Sequence, residues 1–101
     1  MTQMTRIDAD SVNTLSNVLR EVRVLLSESQ DSAWAVVAVS ELVATIDKQI
    51  ASLNATQMCR IMDLKQIFAP TGPLQETAID NGWGDRFLEL STEFDRFVYG
   101  E

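Results

Sequence analysis

Apolar residues recur every three or four positions in three separate stretches of the chain, and this spacing predicts amphipathic helices. The first predicted helix runs from about Ser11 to Ser27, and Asp8, Asp10 and Ser11 offer N-cap oxygens for its free amides. Its apolar residues are Val12, Leu15, Leu19, Val22 and Leu26, with Val18 and Leu25 beside them. The width of this stripe is typical of a helix that packs against a globular core.

The second predicted helix is apolar on more than one flank. It runs from about Ala33 to Leu53, after a polar loop over Ser27–Ser32 that ends in a cap at Asp31 or Ser32. One stripe holds Val36, Val39, Val43, Ile46, Ile50 and Leu53, and a second flank holds Trp34, Val37 and Leu42. Because two flanks are apolar, we expect this helix to lie centrally and to contact two neighbours.

The third predicted helix precedes the strongest helix-breaking segment of the chain, Ala69–Pro73. It runs from about Gln57 to Phe68 and ends there because Pro70 disfavours a helical residue before it. Its apolar face consists of Met58, Ile61, Leu64 and Phe68, with Met62 beside them.

Two further helices follow this segment. A short helix over Leu74–Asp80 is expected to end at Asn81 and Gly82, a pair that readily adopts the left-handed conformation of a helix terminus. The last long helix runs from about Asp85, a possible cap, to Tyr99. The apolar residues along one of its faces are Trp83, Phe87, Leu90, Phe94 and Phe97.

Together these elements predict an all-α fold, because the alternating pattern of sheet strands is absent. The repeated seam and the short loops favour helices packed at shallow angles. We therefore predict an antiparallel, up-down four-helix bundle, with the extra short helix before the last long helix. The 101 residues suit one domain over residues 1–101, in which residues 1–8 form a loose N-terminal tail.

Charge and cysteine content narrow the classes of partner and compartment. The net charge of −7 disfavours nucleic acids and anionic membranes as partners, and it is compatible with a basic protein partner. The lone Cys59 excludes an internal disulfide. The first ten residues lack the apolar core of a signal peptide, and the apolar run from Ala33 to Val39 is too short to cross a bilayer. We therefore expect a cytoplasmic location.

The absence of histidine excludes several kinds of catalytic site. It rules out Ser-His-Asp and Cys-His catalysis, and also the Glu-x-x-His metal sites found in many helical bundles. Phosphate-binding loops, dinucleotide-binding glycine patterns and CxxC pairs are also missing. The segment Asp80–Asp85 superficially resembles a calcium-binding loop, but its carboxylates do not have the required spacing. We expect no catalytic residue, no cofactor and no metal, and interpret Cys59 as a small buried hydrophobe.

Acidic residues concentrate in the last quarter of the chain. Residues 76–101 hold seven acids and two bases. Asp85, Glu89 and Glu93 are spaced by four, so they form one stripe along the last helix, and Glu76 and Asp80 precede it. These five residues are either an ordinary solvated surface or a docking surface for a basic partner, in which charge complementarity speeds association.

Two tryptophans lie at predicted helix starts. Trp34 and Trp83 either seal the ends of the core or, in one case, provide an exposed anchor for a partner. Trp83 is the better candidate anchor because it lies between Gly82 and Gly84.

The segment Phe68–Asp95, FAPTGPLQETAIDNGWGDRFLELSTEFD, resembles one in small bacterial helical proteins that carry a domain of unknown function. Small acidic bacterial proteins of this kind are similar to immunity proteins and antitoxins, which block a toxin by binding it. The resemblance implies a binding role and assigns no role to any residue.

The sequence thus predicts a non-enzymatic protein–protein interaction module acting through an acidic surface, either an immunity-type inhibitor or a small regulatory protein. One alternative is a bundle that binds a small apolar ligand in its core, lined by Met58, Met62 and Phe68. Another is a structural homodimer that buries the second flank of the second helix. An enzyme using carboxylates, Tyr99, Cys59 or lysines is a less favoured alternative, and so is an acidic mimic of nucleic acid.

Overall fold

The computed structural model describes residues 4–32, 37–70 and 72–99, and these residues are mostly helical. The helices are α1 (Ala9–Ser27), α2 (Val39–Thr56), α3 (Ile61–Phe68), α4 (Pro73–Asp80) and α5 (Gly84–Tyr99). Two short strands, β1 (Thr5–Arg6) and β2 (Met58–Cys59), pair antiparallel. The prediction of a helical fold is confirmed, whereas the up-down four-helix arrangement remains a prediction.

Helix α1 begins where an aspartate can cap it. Asp8 is the N-cap, and its carboxylate accepts hydrogen bonds from the Ser11 backbone N–H and the Ser11 hydroxyl, both at 3.0 Å. These hydrogen bonds favour the ionised carboxylate and lower the pKa of Asp8. The predicted start at Ser11 was therefore late by two residues, and the predicted end at Ser27 is confirmed.

Helix α2 begins later than the predicted Ala33. Val37 and Ala38 are not helical, while residues 33–36, including Trp34, lie outside the described residues. Ala38 is the N-cap residue, and its backbone N–H donates to the Glu41 side chain at 3.3 Å. Asp31 lies eight positions before Val39 in the sequence, and its carboxylate accepts the Val39 backbone N–H at 2.8 Å. Free amides of the first turn are thus satisfied without a cap residue of the predicted kind.

The predicted third helix is shorter than expected because its first residues form a strand. Gln57 ends α2 in the left-handed conformation, with φ of 58°, and turns the chain away from the helix axis. Met58 and Cys59 then pair with Arg6 and Thr5, so that α3 begins only at Ile61.

Residues 4–8 are the part of the predicted N-terminal tail that the structure describes. Beyond the pairing of β1 with β2, the Ile7 backbone N–H donates to the Gln57 carbonyl at 2.7 Å. The Ile7 side chain is 5% exposed and belongs to the core. Backbone hydrogen bonds and apolar burial therefore hold Thr5 to Ile7 against the end of α2.

All five helices contribute apolar side chains to the core. Helix α1 buries Leu15, Val18, Leu19, Val22 and Leu26, and α5 buries Phe87, Leu90 and Phe94, as predicted. Phe68 of α3 stacks on Phe94, with ring centroids 4.4 Å apart and planes 9° apart. Burial of such aromatic rings is among the largest contributions that single side chains make to a core.

The buried face of α2 is rotated relative to the predicted stripe. Its buried residues are Leu42, Ile46, Gln49 and Leu53, whereas Val39, Val43 and Ile50 are only partly buried. Gln49 is tolerated inside because its side-chain oxygen accepts the Arg60 backbone N–H at 2.8 Å. The hydrophobic pattern alone does not reveal this hydrogen bond.

The turn between α4 and α5 matches its prediction. Asn81 is the C-cap of α4, and Gly82 has φ of 83°, in the left-handed region that glycine adopts without strain. Gly72, before α4, is constrained differently, because a Cβ atom there would lie 2.8 Å from the Ala69 carbonyl oxygen. No helix in the described parts of the chain is long and apolar enough to cross a lipid bilayer.

The left-handed conformation of Gln57 yields a stability prediction. Replacing Gln57 with Gly should raise the free energy of unfolding by about 0.5–1 kcal/mol, because a side chain is strained at positive φ. Ala51→Gly, at an exposed position inside α2, should instead lower it by about 1 kcal/mol. Urea denaturation measures both changes, and destabilisation by Gln57→Gly would contradict the prediction.

Candidate functional site

An open groove of about 600 Å³ lies between α1 and α5. The two helices run antiparallel along it. Ser11 near the start of α1 and Phe97 near the end of α5 line the same end, while Glu21 and Arg86 meet at the other. Its lining residues are Ser11, Thr14, Asn17, Val18 and Glu21 from α1, and Arg86, Leu90, Glu93, Arg96 and Phe97 from α5.

The groove has an apolar floor and a polar rim. Val18 and Leu90 are buried members of the core, and Phe97 is partly buried against it, so these residues form the floor. On the α1 side the rim holds the neutral Ser11, Thr14 and Asn17, whereas the α5 side holds Glu93 and Arg96. The charges of the open part of the rim therefore lie on α5.

The ion pair between Glu21 and Arg86 joins α1 to α5 at one end of the groove. The Arg86 Nη2 donates to Glu21 Oε1 at 2.6 Å, and its Nε donates to the other oxygen, which gives a two-point contact. The guanidinium lowers the pKa of Glu21 below its ordinary value of 4.5, and the carboxylate raises the pKa of Arg86. Both side chains are about 40% exposed, so solvent screens the attraction.

The predicted acidic stripe lies on the surface of α5. Asp85, Glu89 and Glu93 are all exposed, and the Glu89 side chain is 67% exposed. Glu89 lies 3.4 Å from Arg86, which also pairs with Glu21, whereas Asp85 and Glu93 form no ion pair with the described residues. Glu93 also lines the groove, so one member of the stripe belongs to both features.

The other two predicted acids lie apart from this stripe. Glu76 and Asp80 belong to α4, and neither lines the groove between α1 and α5. Asp80 accepts a hydrogen bond from the Ser32 hydroxyl and so helps to hold the loop that follows α1. Glu76 is partly buried. The candidate surface therefore contains three of the five predicted acids.

Trp83, the predicted anchor, packs into the core. Its side chain is 9% exposed, and its indole N–H donates to the Ser29 hydroxyl at 2.9 Å. This placement favours the alternative in which Trp83 seals one end of the core. Phe97 is the aromatic residue that the groove presents instead.

Sequence reasoning overlooked the α1 side of the groove. Ser11, Thr14 and Asn17 are spaced by three, beside the buried stripe of α1, and this neutral polar row was the available signal. The contact between Glu21 and Arg86 joins residues 65 positions apart, so no local pattern predicts it.

Other candidate reactive groups are the Cys59 thiol and the carboxylates. Cys59 is fully buried, and burial raises the pKa of its thiol to about 11, so it is protonated at neutral pH. Nowhere in the described residues do three or more His, Cys, Asp or Glu side chains come close enough to hold a metal ion. The described geometry provides a groove that combines charged and apolar side chains.

No protein-family model, curated protein or solved structure matches this chain.

The ion pair between Glu21 and Arg86 predicts how stability changes in acid. Because the folded pKa of Glu21 is lowered, its stabilising contribution is complete above pH 4.5 and is lost as pH falls through the folded pKa. Glu21→Gln should therefore flatten the decline of unfolding free energy below about pH 4.5, measured by urea denaturation at successive pH values.

The control for this prediction is Glu21→Gln made in a variant that lacks the Arg86 guanidinium. In an Arg86→Gln background, Glu21→Gln should leave the acid dependence almost unchanged, because the group that lowers the pKa is gone. An equal flattening in both backgrounds would show that Arg86 does not govern the titration.

Proposed function

We propose that this chain is a non-enzymatic protein–protein interaction module that binds a basic partner protein through the outer side of α5. The observation that carries the proposal is the exposed row of Asp85, Glu89 and Glu93 beside a groove with an apolar floor. An immunity-type inhibitor that blocks a basic toxin and a small regulatory protein are two forms of this function.

Electrostatics support a cationic partner. The chain carries a net charge of −7, and the stripe places three carboxylates on successive turns of one helix. Arg86 is shared between Glu21 and Glu89, so it only partly compensates the stripe. A surface of this kind raises the rate of association with a partner of opposite charge, and the effect falls with ionic strength.

The groove adds the apolar contact that charge alone does not provide. Exposed ion pairs contribute little to affinity, whereas buried aromatic anchors contribute much more. Phe97 remains partly exposed on the groove floor, next to Glu93 on the rim. A partner that spans both features would gain orientation from the carboxylates and affinity from Phe97.

The alternatives predicted from the sequence receive less support from specific contacts. Met62, proposed to line an internal ligand site, is 54% exposed, and Phe68 is engaged in the aromatic stack. The antiparallel contacts that α1 makes along α5 fit the finer proposal of an up-down four-helix bundle. We also propose a cytoplasmic location and a bacterial origin.

The experiment compares capture of partners by variants that differ only in where charge is reversed. Immobilised wild type and Glu89→Lys/Glu93→Lys are exposed to native lysate at low salt, and bound proteins are quantified by mass spectrometry. We expect the variant to recover at least about tenfold less of the partner, because two attractive charges become repulsive. Recovery of the wild-type partner should also fall as salt is raised.

Glu28→Lys/Asp95→Lys is the matched control, since both positions are exposed, lie outside the groove and give the same change in net charge. This control should retain the partner. Circular dichroism and thermal unfolding establish that both variants are folded. Equal recovery by wild type and both variants would refute binding through the acidic stripe.

A further inference from the structure

We infer that Asn81 is a site of spontaneous deamidation, and that docking of its side chain on the Gln30 backbone holds the reaction back in the folded chain. The inference concerns the covalent stability of the turn between α4 and α5, and it is independent of the proposed function. Three features support it: the residue that follows Asn81, the backbone conformation of the turn, and the hydrogen bonds of the Asn81 carboxamide.

The first feature is the dipeptide formed by Asn81 and Gly82. Deamidation begins when the backbone nitrogen of the following residue attacks the side-chain carbonyl carbon, and a side chain on that residue hinders the attack. Gly82 has no side chain, and the space beside its Cα atom is open, because a Cβ atom there would have no neighbour within 4 Å. The other asparagines precede threonine, valine and alanine inside α1 and α2; they are Asn13, Asn17 and Asn54.

The reaction needs water as its only co-reactant. The Gly82 nitrogen gives up its proton and forms a bond to the Asn81 Cγ atom, while the bond from Cγ to Nδ2 breaks and ammonia leaves. Water then opens the cyclic imide. Addition of water at Cγ gives aspartate, whereas addition at the backbone carbonyl carbon gives isoaspartate, in which the main chain runs through the side chain. Asn81 is only partly buried, so water reaches it.

The second feature is the backbone conformation of Asn81, which keeps the reacting atoms apart. Closing the five-membered imide ring requires the Gly82 nitrogen to eclipse the Asn81 Cβ atom about the Cα–C bond. With ψ of 9°, that nitrogen instead nearly eclipses the Asn81 backbone nitrogen, so the bond must rotate by about a third of a turn. The rotation would break the hydrogen bond from the Gly82 N–H to the Ile79 carbonyl. It would also break the one from the Trp83 N–H to the Ala78 carbonyl, at 2.9 Å.

The third feature is the set of hydrogen bonds that hold the Asn81 carboxamide. Its oxygen accepts the Gln30 backbone N–H at 2.8 Å. Its nitrogen donates to the Gln30 carbonyl at 2.8 Å and to the Thr77 carbonyl at 2.9 Å. Because these contacts hold the leaving nitrogen and the turn holds the attacking one, the reaction requires the turn to open first. Its rate then follows the population of the opened turn.

Conversion removes the donor on which this docking depends. An aspartate carboxylate still accepts the Gln30 N–H, but its second oxygen faces the Gln30 and Thr77 carbonyl oxygens, to which the lost NH₂ group donated. Acceptors that face one another without a proton between them oppose closure of the turn. Isoaspartate also lengthens the main chain at this position. The reaction therefore weakens the contact between the loop after α1 and the start of α5.

The test follows deamidation of the full chain at neutral pH. Samples of folded protein, and of protein kept unfolded in guanidinium chloride, are digested in acid, and mass spectrometry measures conversion at each asparagine. We expect Asn81 to convert fastest in the unfolded chain, and at least about tenfold more slowly in the folded chain. Equal rates in the two samples would overturn the inference. Conversion at Asn13, Asn17 or Asn54 as fast as at Asn81 in the unfolded chain would also overturn it.

Two variants distinguish opening of the turn from global unfolding. Ser29→Ala removes the acceptor of the Trp83 indole N–H beside the turn, and it should accelerate conversion in the folded protein about fivefold, since one hydrogen bond that holds the turn is lost. Ala51→Gly weakens α2 outside this junction and should change the rate less than about twofold. Equal acceleration by both variants would show that Asn81 reacts from the unfolded chain, and would overturn gating by the turn.

Asn81→Asp tests the consequence of the reaction. It should lower the midpoint of thermal unfolding by about 4–8 °C at neutral pH, because hydrogen bonds that close the turn are lost. Asn13→Asp adds the same charge at an exposed position of α1 and is the control, with an expected change of less than about 2 °C. An unchanged midpoint in Asn81→Asp would show that the carboxamide donors do not hold the turn closed, and would overturn the inference.

Discussion

The burial of the apolar stripe of α1 is the constraint on which the remaining structure depends. Leu15, Leu19, Val22 and Leu26 are almost completely hidden, so α1 must be covered along most of its length. Ion pairs on its two flanks join it to its neighbours: Arg23 pairs with Asp47 of α2 at 2.8 Å, and Glu21 pairs with Arg86 of α5. The groove is the furrow between α1 and α5, the two helices that the second ion pair joins. Its position therefore follows from how α1 is packed.

The position of α5 also depends on the loop that follows α1. The Asn81 side chain accepts the Gln30 backbone N–H and donates to the Gln30 carbonyl, both at 2.8 Å, much as a paired strand would. Two residues later, Trp83 donates to Ser29. Because α5 starts directly after these contacts, they hold its first turn beside the end of α1, while burial of Phe87, Leu90 and Phe94 selects the face that points inward.

Local patterns predicted the elements whose determinants are local. The seams of α1 and α5 and the Asn81–Gly82 terminus follow from residues within a few positions of one another, and the structure has them as expected. The start of α2 depends on Asp31 reaching Val39, and the start of α3 depends on β1 pairing with residues more than fifty positions away. The same distinction applies to the candidate site. The spacing of the acids predicted the stripe on α5, whereas the groove needs α1 and α5 side by side, which no single stretch of sequence encodes.

The acidic stripe does not stabilise the helix that carries it. Carboxylates four residues apart on a helix destabilise it by about 0.2–0.5 kcal/mol per pair, and α5 contains two such pairs. Asp85 lies in the first turn of α5, where the helix dipole stabilises a negative charge. Glu89 and Glu93 lie beyond the first turn, so the dipole does not offset their repulsion. Arg86 relieves Glu89 only in part, since its two-point contact is with Glu21. Under the proposed function, a cation on the partner would relieve this repulsion, as dissolved salt also does in part.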